Sequence, residues 1–214
     1  GVHAICLSGG SAFGLDASSG VMQYLEEKGK GVKVGDAIVP IVVSSCIFDL
    51  SCVDGKVRPD KKMGYDACVD SEKNLVRHGN VGAGMGATVG KLHGNDSSMK
   101  SGLGTYALQV GSLQVGAIVV VNAIGDVYEM DSTKQLAGLL NRKKDGMLSS
   151  EEEAVKLLQL ASAFSFNTTI GAIITNANLD KADMNKVAAM ASNGLARTIR
   201  PVNTSMDGDS IYAV

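Results

Sequence analysis

One short segment places a hydroxyl group where a nucleophile would stand. Within Phe166-Asn-Thr-Thr-Ile-Gly171, a polar stretch and a predicted helix lead to Asn167, and a predicted buried strand starts at Thr168. A threonine hydroxyl attacks carbonyl groups only when a neighbouring base activates it. On local sequence alone, a turn that feeds a strand explains this segment better than a catalytic site does.

Two serines stand in patterns that resemble nucleophile motifs only in part. Ser97-x-x-Lys100 has the spacing used by serine beta-lactamases, but residues 94–98 have the composition of an exposed loop. Ser11 follows two glycines, but Phe13 stands where a nucleophile elbow requires glycine. An exposed loop is therefore the better interpretation for Ser97, and Ser11 lacks the complete nucleophile-elbow pattern.

Cysteine and histidine are not spaced for metal or redox chemistry. No C-x-x-C pair and no pair of histidines at i, i+4 occurs among Cys6, Cys46, Cys52, Cys68, His3, His78 and His93. We therefore expect no metal and no cofactor. The cysteines fit the role of small core hydrophobes in a reducing cytoplasm.

Glycine is abundant, with 26 residues that cluster in short strings. Gly82-x-Gly84-x-x-Ala87 approaches the dinucleotide-binding fingerprint, but no convincing helix follows it and no acidic residue closes a strand about 20 residues later. Glycines that allow tight turns and close backbone packing are the better interpretation.

The composition restricts the partners. The formal net charge is -2 and no long basic run is present, which argues against nucleic acid or an anionic membrane as partner. No apolar run approaches the roughly 20 residues that span a bilayer. Gly1 opens directly onto an apolar strand, so we expect further residues before it in the complete protein.

The pattern of apolar residues predicts strands and helices in a layered arrangement. Predicted strands cover residues 2–7, 38–43, 46–50, 113–122, 125–130, 168–175 and 211–214, the fourth and fifth paired through a turn at 123–125. Four helices are predicted. The first has Phe13, Ala17, Val21, Met22 and Leu25 on its inner face, and the second covers residues 66–77. The third runs from a capping box at Ser150 and Glu153 to about Ala163, and the fourth runs from Asp180 to Pro201. The last has Met184, Val187, Ala188, Ala191 and Leu195 facing inward. Residues 54–64 and 134–146 are predicted polar loops.

A series of longer blocks adds information that these patterns lack. In chain order they are Ile5-Cys-Leu-Ser-Gly-Gly-Ser-Ala-Phe-Gly-Leu-Asp-Ala17, Ile47-Phe-Asp-Leu50, Gly79-Asn-Val-Gly-Ala-Gly-Met-Gly-Ala-Thr-Val-Gly-Lys-Leu92, Met99-Lys-Ser-Gly-Leu-Gly104, Val119-Val-Val-Asn-Ala123, Asn167-Thr-Thr-Ile-Gly171, Gly194-Leu-Ala-Arg-Thr-Ile-Arg-Pro201 and Asp207-Gly-Asp209. Taken together they resemble the DmpA-type aminopeptidases, the L-aminopeptidase/D-esterase family that includes the endo-acting nylon-oligomer hydrolases.

The resemblance implies a fold, a processing event and a set of site residues. The expected fold is an α/β protein, a four-layer α/β/β/α sandwich formed by residues 1–214 as one domain. On the resemblance, a further amino-terminal segment that family members carry is expected before Gly1. Self-cleavage is expected between Asn167 and Thr168, giving a large subunit of residues 1–167 and a small subunit of 168–214. A homo-oligomer is also expected on the resemblance.

The resemblance also assigns the remaining site residues. Lys91 and Asn122 match active-site positions of the nylon-hydrolase branch, and Asp207 and Asp209 match the pair of side chains that hold the nucleophile. In the peptidase branch that pair is Ser and Glu, and the lysine is not kept. The chain therefore resembles the nylon-hydrolase branch more closely, which argues against a strict aminopeptidase specificity.

These residues suit amide hydrolysis through an acyl-enzyme. Cleavage before Thr168 would free an α-amine whose ordinary pKa, about 7.7–8.0, is that of an effective base at neutral pH. Asn122 would donate to the oxyanion, and a desolvated Lys91 would keep the amine unprotonated. Before cleavage, Asp207, Asp209 or Lys91 would have to assist the hydroxyl.

The expected substrate is a short peptide or another small amide. One alternative keeps the nucleophile but transfers the acyl group to an amine, as in the related ornithine acetyltransferases. Another alternative is a non-catalytic binding protein that retains the fold without self-cleavage.

Overall fold

The computed structural model describes residues 1–52, 54–157 and 167–214. Its strands are β1 (Ala4–Ser8), β2 (Val32–Val34), β3 (Ala37–Val39), β4 (Val42–Cys46), β5 (Thr88–Val89), β6 (Met99–Lys100), β7 (Leu103–Val110), β8 (Leu113–Asn122), β9 (Asp126–Tyr128), β10 (Gln135–Ala137), β11 (Thr168–Thr175), β12 (Ile199–Arg200) and β13 (Ser210–Ala213). Its α-helices are α1 (Ala17–Glu27), α2 (Lys61–Ser71), α3 (Ser150–Leu157) and α4 (Lys181–Thr198). Short 3₁₀ helices cover Ser11–Asp16, Gly82–Gly86 and Asn95–Ser97.

The apolar, β-branched runs of the sequence form the central sheet. Its strand order is β13–β11–β8–β7, with β13 parallel to β11 and the other neighbours antiparallel. Side chains along a strand alternate between its two faces. Accordingly, Val120 of β8 packs into one hydrophobic cluster, while Val119 and Val121 pack into a second.

Helices and a smaller sheet cover the two faces of this sheet. The parallel strands β1 and β4 lie against β11 on one face, and α1 packs on β1, β4 and α2. On the other face α4 packs on β11 and β13. The layers run helix, sheet, sheet, helix, so the predicted α/β/β/α sandwich is confirmed.

Two clusters of buried side chains hold the layers together. The cluster between the sheets contains Ile47, Ala83, Ala87, Val120 and Ile170. The cluster under α4 contains Val89, Ala123, Leu195 and Ile199. Burial of one large aliphatic side chain is worth about 1.5–3 kcal/mol. The two clusters therefore fix β8 from both sides, and the first also holds β11 through Ile170.

The neighbour of β8 differs from the one predicted. β8 has the predicted bounds, but it forms its hairpin with β7, which the sequence reading missed. β9 instead pairs with β10 and β12 in a separate sheet. The segment between β8 and β9 is no exposed turn: Ala123 and Ile124 are buried, and a Cβ on Gly125 would overlap the main chain of Arg200 and Pro201.

Two boundaries and the burial of two side chains in the first third of the chain also differ from the prediction. β4 ends at Cys46, so the strand predicted over 46–50 is wrong. α2 begins at Lys61, inside the predicted polar loop, because the Asp60 carboxylate caps it by accepting a hydrogen bond from Met63 N (2.8 Å). On the first helix Ala17 and Val21 are buried as predicted. Phe13 and Met22 are wrongly placed inside, since they are 55% and 40% exposed.

The segment 134–146 is more ordered than its polarity predicts. It contains β10, Leu139 is fully buried, and the Leu139 N–H donates to the Asp126 carboxylate at 2.8 Å. Ser150 also bonds Asp126, so it does not form the predicted capping box; Ser149 Oγ instead accepts from Glu152 N. The predicted end of this helix, near Ala163, lies outside the described residues.

The carboxyl-terminal part follows the prediction more closely. β11 has the predicted bounds, and Asp180 caps α4 by accepting from Asp183 N at 2.9 Å. α4 ends at Thr198, before β12, so Pro201 does not terminate it. Of its predicted inward residues Leu195 is buried, whereas Met184, Val187, Ala188 and Ala191 are half-buried.

Candidate active site

Thr168 stands at the first position of β11, on the wall of a cavity of about 590 Å³. Antiparallel pairing places it directly opposite Asn122, the last residue of β8. Its side chain is half-buried, whereas the preceding Asn167 is 2% exposed. The rest of the cavity wall comes from Ser11, Ala12 and Leu15, from residues 44–46 and 48, and from 205–208.

Asn122 is fully buried and held by hydrogen bonds at three atoms. Its Nδ2 donates to Phe48 O (3.0 Å), its Oδ1 accepts from Thr88 N (3.1 Å), and its main-chain O accepts from Lys91 Nζ (2.7 Å). A primary amide has two N–H donors, so one remains beyond the bond to Phe48. This side chain therefore has a fixed orientation next to Thr168.

Lys91 is a buried cation beside this pair. Its side chain is 4% exposed, and burial lowers the pKa of Lys91 to about 7, although the Asp207 carboxylate favours the charged form. Desolvation disfavours an ammonium ion, which explains the direction of the shift. An amine with such a pKa exchanges protons readily near neutral pH.

Asp207 and Asp209 lie in the turn before β13, next to the start of β11. Asp209 Oδ1 accepts from Thr169 N at 2.5 Å, and its Oδ2 accepts from Asn203 N at 3.2 Å. Burial raises the pKa of Asp209, although the Thr169 N–H favours the carboxylate. This carboxylate therefore anchors the main chain immediately after Thr168.

Asp207 is bound on one side only. Its Oδ2 accepts from Thr204 N (3.0 Å) and Thr204 Oγ1 (2.6 Å). Its Oδ1 is buried and has no hydrogen-bond partner among the described residues. Asp207 also lines the cavity, and its Oδ1 keeps the capacity to accept a hydrogen bond. All five predicted site residues thus lie around the start of β11.

Several residues of the site escaped the sequence analysis. Asp49 Oδ1 accepts from Gly10 N at 2.6 Å, and a Cβ on Gly9 or Gly86 would overlap the Asp49 carboxylate. Asp49 therefore holds both glycine strings together, next to Phe48. The sequence signal was its place inside the block Ile47-Phe-Asp-Leu50. For Thr204, the signal was its position three residues before Asp207.

The other motifs are not brought into the site as nucleophiles. Lys100 Nζ donates to Met85 O, and Ser97 ends a short 3₁₀ helix. The glycines at 82–86 form a 3₁₀ turn followed by β5, in agreement with close packing. Ser11 does line the cavity beside Thr168, which its sequence context did not predict.

The described residues contain no group of three His, Cys, Asp or Glu side chains placed to hold a metal ion. The four cysteines are free thiols and half-buried, so they are less deeply packed than predicted. No helix in the described ranges has the length and apolarity to cross a membrane. The chemistry in reach is that of a hydroxyl, an amine with a pKa near neutrality, two carboxylates and fixed N–H donors, which is the set required for acyl transfer.

The fold of this chain is that of a class of proteins with solved structures. The chain can be superimposed on the L-aminopeptidase D-Ala-esterase/amidase from Ochrobactrum anthropi, described as a new variant of the Ntn hydrolase fold. The TM-score is 0.54 at 17% identity, and the match covers 94% of this chain and 50% of the Ochrobactrum chain. Within that class, the chain belongs to peptidase family S58, whose model matches residues 2–214.

Two kinds of curated relatives are similar over the whole chain. An uncharacterized aminopeptidase of Mycobacterium leprae is 42% identical over 224 residues, which is 100% of this chain and 59% of that protein. The 6-aminohexanoate-oligomer endohydrolase of a Kocuria species is 32% identical over 219 residues, 99% of this chain and 60% of that protein. The chain thus spans about three fifths of the curated relatives it matches.

Proposed function

We propose that this chain is the catalytic part of an amidohydrolase that cuts itself between Asn167 and Thr168 and then uses Thr168 as nucleophile. One observation carries the proposal: Thr168 lines a cavity and pairs directly opposite Asn122, whose main-chain oxygen is bonded to a buried lysine with a pKa of about 7. A polar cluster of this kind is costly to bury and serves chemistry better than it serves packing.

The self-cleavage is an N-to-O acyl shift followed by hydrolysis. Thr168 Oγ1 attacks the Asn167 carbonyl carbon, and its proton passes through a neighbouring base to the departing amide nitrogen. The C–N bond breaks, which leaves an ester on Thr168 Oγ1 and a free amine on Thr168. Water then adds to the ester, and the products are the Asn167 carboxylate and the regenerated hydroxyl. Neutral Lys91 is the base that we assign to the first proton transfer, because its pKa matches neutral pH.

Turnover repeats these bond changes with a substrate amide. The new α-amine takes the hydroxyl proton, an acyl-enzyme forms on Thr168, and water releases the acid. The unpaired Oδ1 of Asp207 is the acceptor that we assign to the protonated α-amine. The names of the relatives, aminopeptidase and 6-aminohexanoate-oligomer endohydrolase, support short peptides or linear amides as the substrate class.

Substitution of the nucleophile tests the proposal. Thr168→Ala should remain a single chain and lack amide hydrolysis, whereas Thr168→Ser retains a hydroxyl and should still cut. Thr175→Ala, at the far end of the same strand, is the matched control and should process at the parent rate. Mass spectrometry of each purified variant gives the result. Two subunits from Thr168→Ala would exclude Thr168 as the nucleophile.

A further inference from the structure

The carbonyl oxygen that self-cleavage must polarise already has a hydrogen-bond donor. Asn167 O accepts from the main-chain N–H of Gly208 at 2.8 Å. The two chain segments meet here in a parallel bridge between Asn167 and Asp207, just before β11 and β13 pair. The donor therefore belongs to the sheet framework and not to a mobile side chain.

The residues on both sides of Gly208 are held in place. Asp207 is bonded through Oδ2 to Thr204, and Asp209 is bonded through Oδ1 to Thr169 N. Asp209 thus ties the residue after Gly208 to the start of β11, and Asp207 fixes the turn that precedes Gly208. Donors fixed before the reaction need no reorganisation when charge develops, and this is the condition for effective oxyanion stabilisation.

The absence of a side chain at position 208 also matters. A Cβ there would lie 3.6 Å from Thr168 Oγ1 and 3.7 Å from Asn167 O, in van der Waals contact with both atoms. Water has to reach this region to hydrolyse the ester. Glycine at position 208 leaves this space open to water, and its N–H still donates a hydrogen bond to Asn167 O.

We propose that the Gly208 N–H is the oxyanion donor of self-cleavage, and of turnover as well. The proposal rests on the function proposed above. When Thr168 Oγ1 adds to the Asn167 carbon, negative charge moves onto Asn167 O, and the bond from Gly208 strengthens without transfer of its proton. The ester formed in self-cleavage is itself an acyl-enzyme with Asn167 as the acyl group. A substrate acyl group on the same oxygen therefore presents its carbonyl to the same donor.

This assignment differs from the role predicted for Asn122. The Asn122 amide donates to Phe48 O and accepts from Thr88 N, so one N–H remains for an oxyanion. Gly208 is the donor whose contact with the scissile oxygen is present before any step occurs. The oxyanion role of Asn122 stays a prediction for a second donor.

Replacement of one amide by an ester tests the proposal. Cell-free translation with glycolic acid at position 208 substitutes oxygen for the N–H and leaves the size of the residue unchanged. The first-order rate of self-cleavage should fall about 100-fold or more, as for the loss of one oxyanion donor. The same exchange at Gly35, in the exposed turn between β2 and β3, is the control and should leave the rate within about threefold. Gly208→Ala keeps the N–H and should slow cleavage far less than the ester does.

A second readout separates the possible failures. In uncut Thr168→Ala protein, the isotope-edited infrared band of the Asn167 carbonyl should move to higher wavenumber when the ester replaces the Gly208 amide. An unshifted band would overturn the contact. A shifted band with unchanged cleavage would overturn the catalytic role alone. If the parent chain never cuts, the proposed function fails and this proposal fails with it, whatever the band shows.

Discussion

The two ends of the central sheet differ in how their side chains are held. At the site end, Asn122 and Thr169 are fully buried, and Asn122 is bonded through its side-chain amide as well as its main chain. At the outer end of the same sheet, Leu113 and Ile174 are each 44% exposed, and Leu108 on β7 is 60% exposed. One pair of strands therefore connects a densely bonded region with an open apolar one.

This difference shows what the site requires of the fold. Apolar packing tolerates small displacements, whereas hydrogen bonds to a buried amide or carboxylate impose a distance and a direction. Reacting groups must be held to within about half an ångström of a productive geometry. The polar end of the sheet meets this requirement because Asn122, Lys91 and Asp209 each bond main-chain groups near Thr168.

The largest effect is expected at Asn122. Asn122→Ala leaves Thr88 N without its acceptor, which costs about 1–3 kcal/mol, and also removes the hydrogen bond donated to Phe48 O. Self-cleavage should slow by about 100-fold or more, because the Asn122 amide, the predicted oxyanion donor opposite Thr168, is also lost. Urea denaturation and the rate of fragment appearance measure the two effects.

A matched control lies on the same strand. Gln114→Ala, at the exposed outer end of β8, should change the free energy of unfolding by less than about 0.5 kcal/mol. Equal losses at Asn122 and Gln114 would remove the distinction between the two ends.

An intermediate, pH-dependent effect is expected at Lys91. Its pKa is about 7 in the folded protein and 10.5 for the exposed side chain. Between these values the unfolded chain binds more protons than the folded one, so this group's contribution to stability rises with pH. Lys91→Met lacks that dependence. It should be more stable than the parent by about 1–4 kcal/mol at pH 6 to 7, and the gain should shrink towards pH 10.

Thermal unfolding of both proteins across this pH range checks the sign. Other titrating groups are shared by the two chains and cancel in the difference. If the stability difference between the two proteins widens with rising pH, or does not change, the pKa of Lys91 is not lowered in the folded protein.

The smallest effect is expected at the outer end. Leu108→Thr introduces a residue favoured in strands at an exposed position, so the free energy of unfolding should change by no more than about 0.5 kcal/mol. Self-cleavage should keep the parent rate. A loss above 1 kcal/mol or a slower cut would mean that this end supports the site after all.

The sequence predicted individual strands better than it predicted their neighbours. β8 and β11 were located at their observed bounds because each is a continuous apolar, β-branched run. β7 was missed, and β9 was assigned to the wrong partner, because pairing depends on contacts between distant segments. The order of the layers came from the family resemblance and not from the patterns.

The candidate site was predictable only where a residue type carries a signal. Thr168, Lys91, Asn122, Asp207 and Asp209 stand inside blocks that resemble a known family. Gly208 acts through its main-chain N–H, which every residue except proline has, so its type gave no indication of the contact. The contacts of Asp49 with Gly9 and Gly86 likewise depend on the packing of remote segments.

Intact-mass analysis of the purified chain, with amino-terminal sequencing of any small fragment, tests the central claim most directly. After incubation near neutral pH, the account predicts two fragments, residues 1–167 and 168–214, the smaller beginning Thr168-Thr-Ile-Gly. A single uncut species that persists, or a cut at another bond, would contradict the assignment of Thr168 as the nucleophile of a self-processing hydrolase.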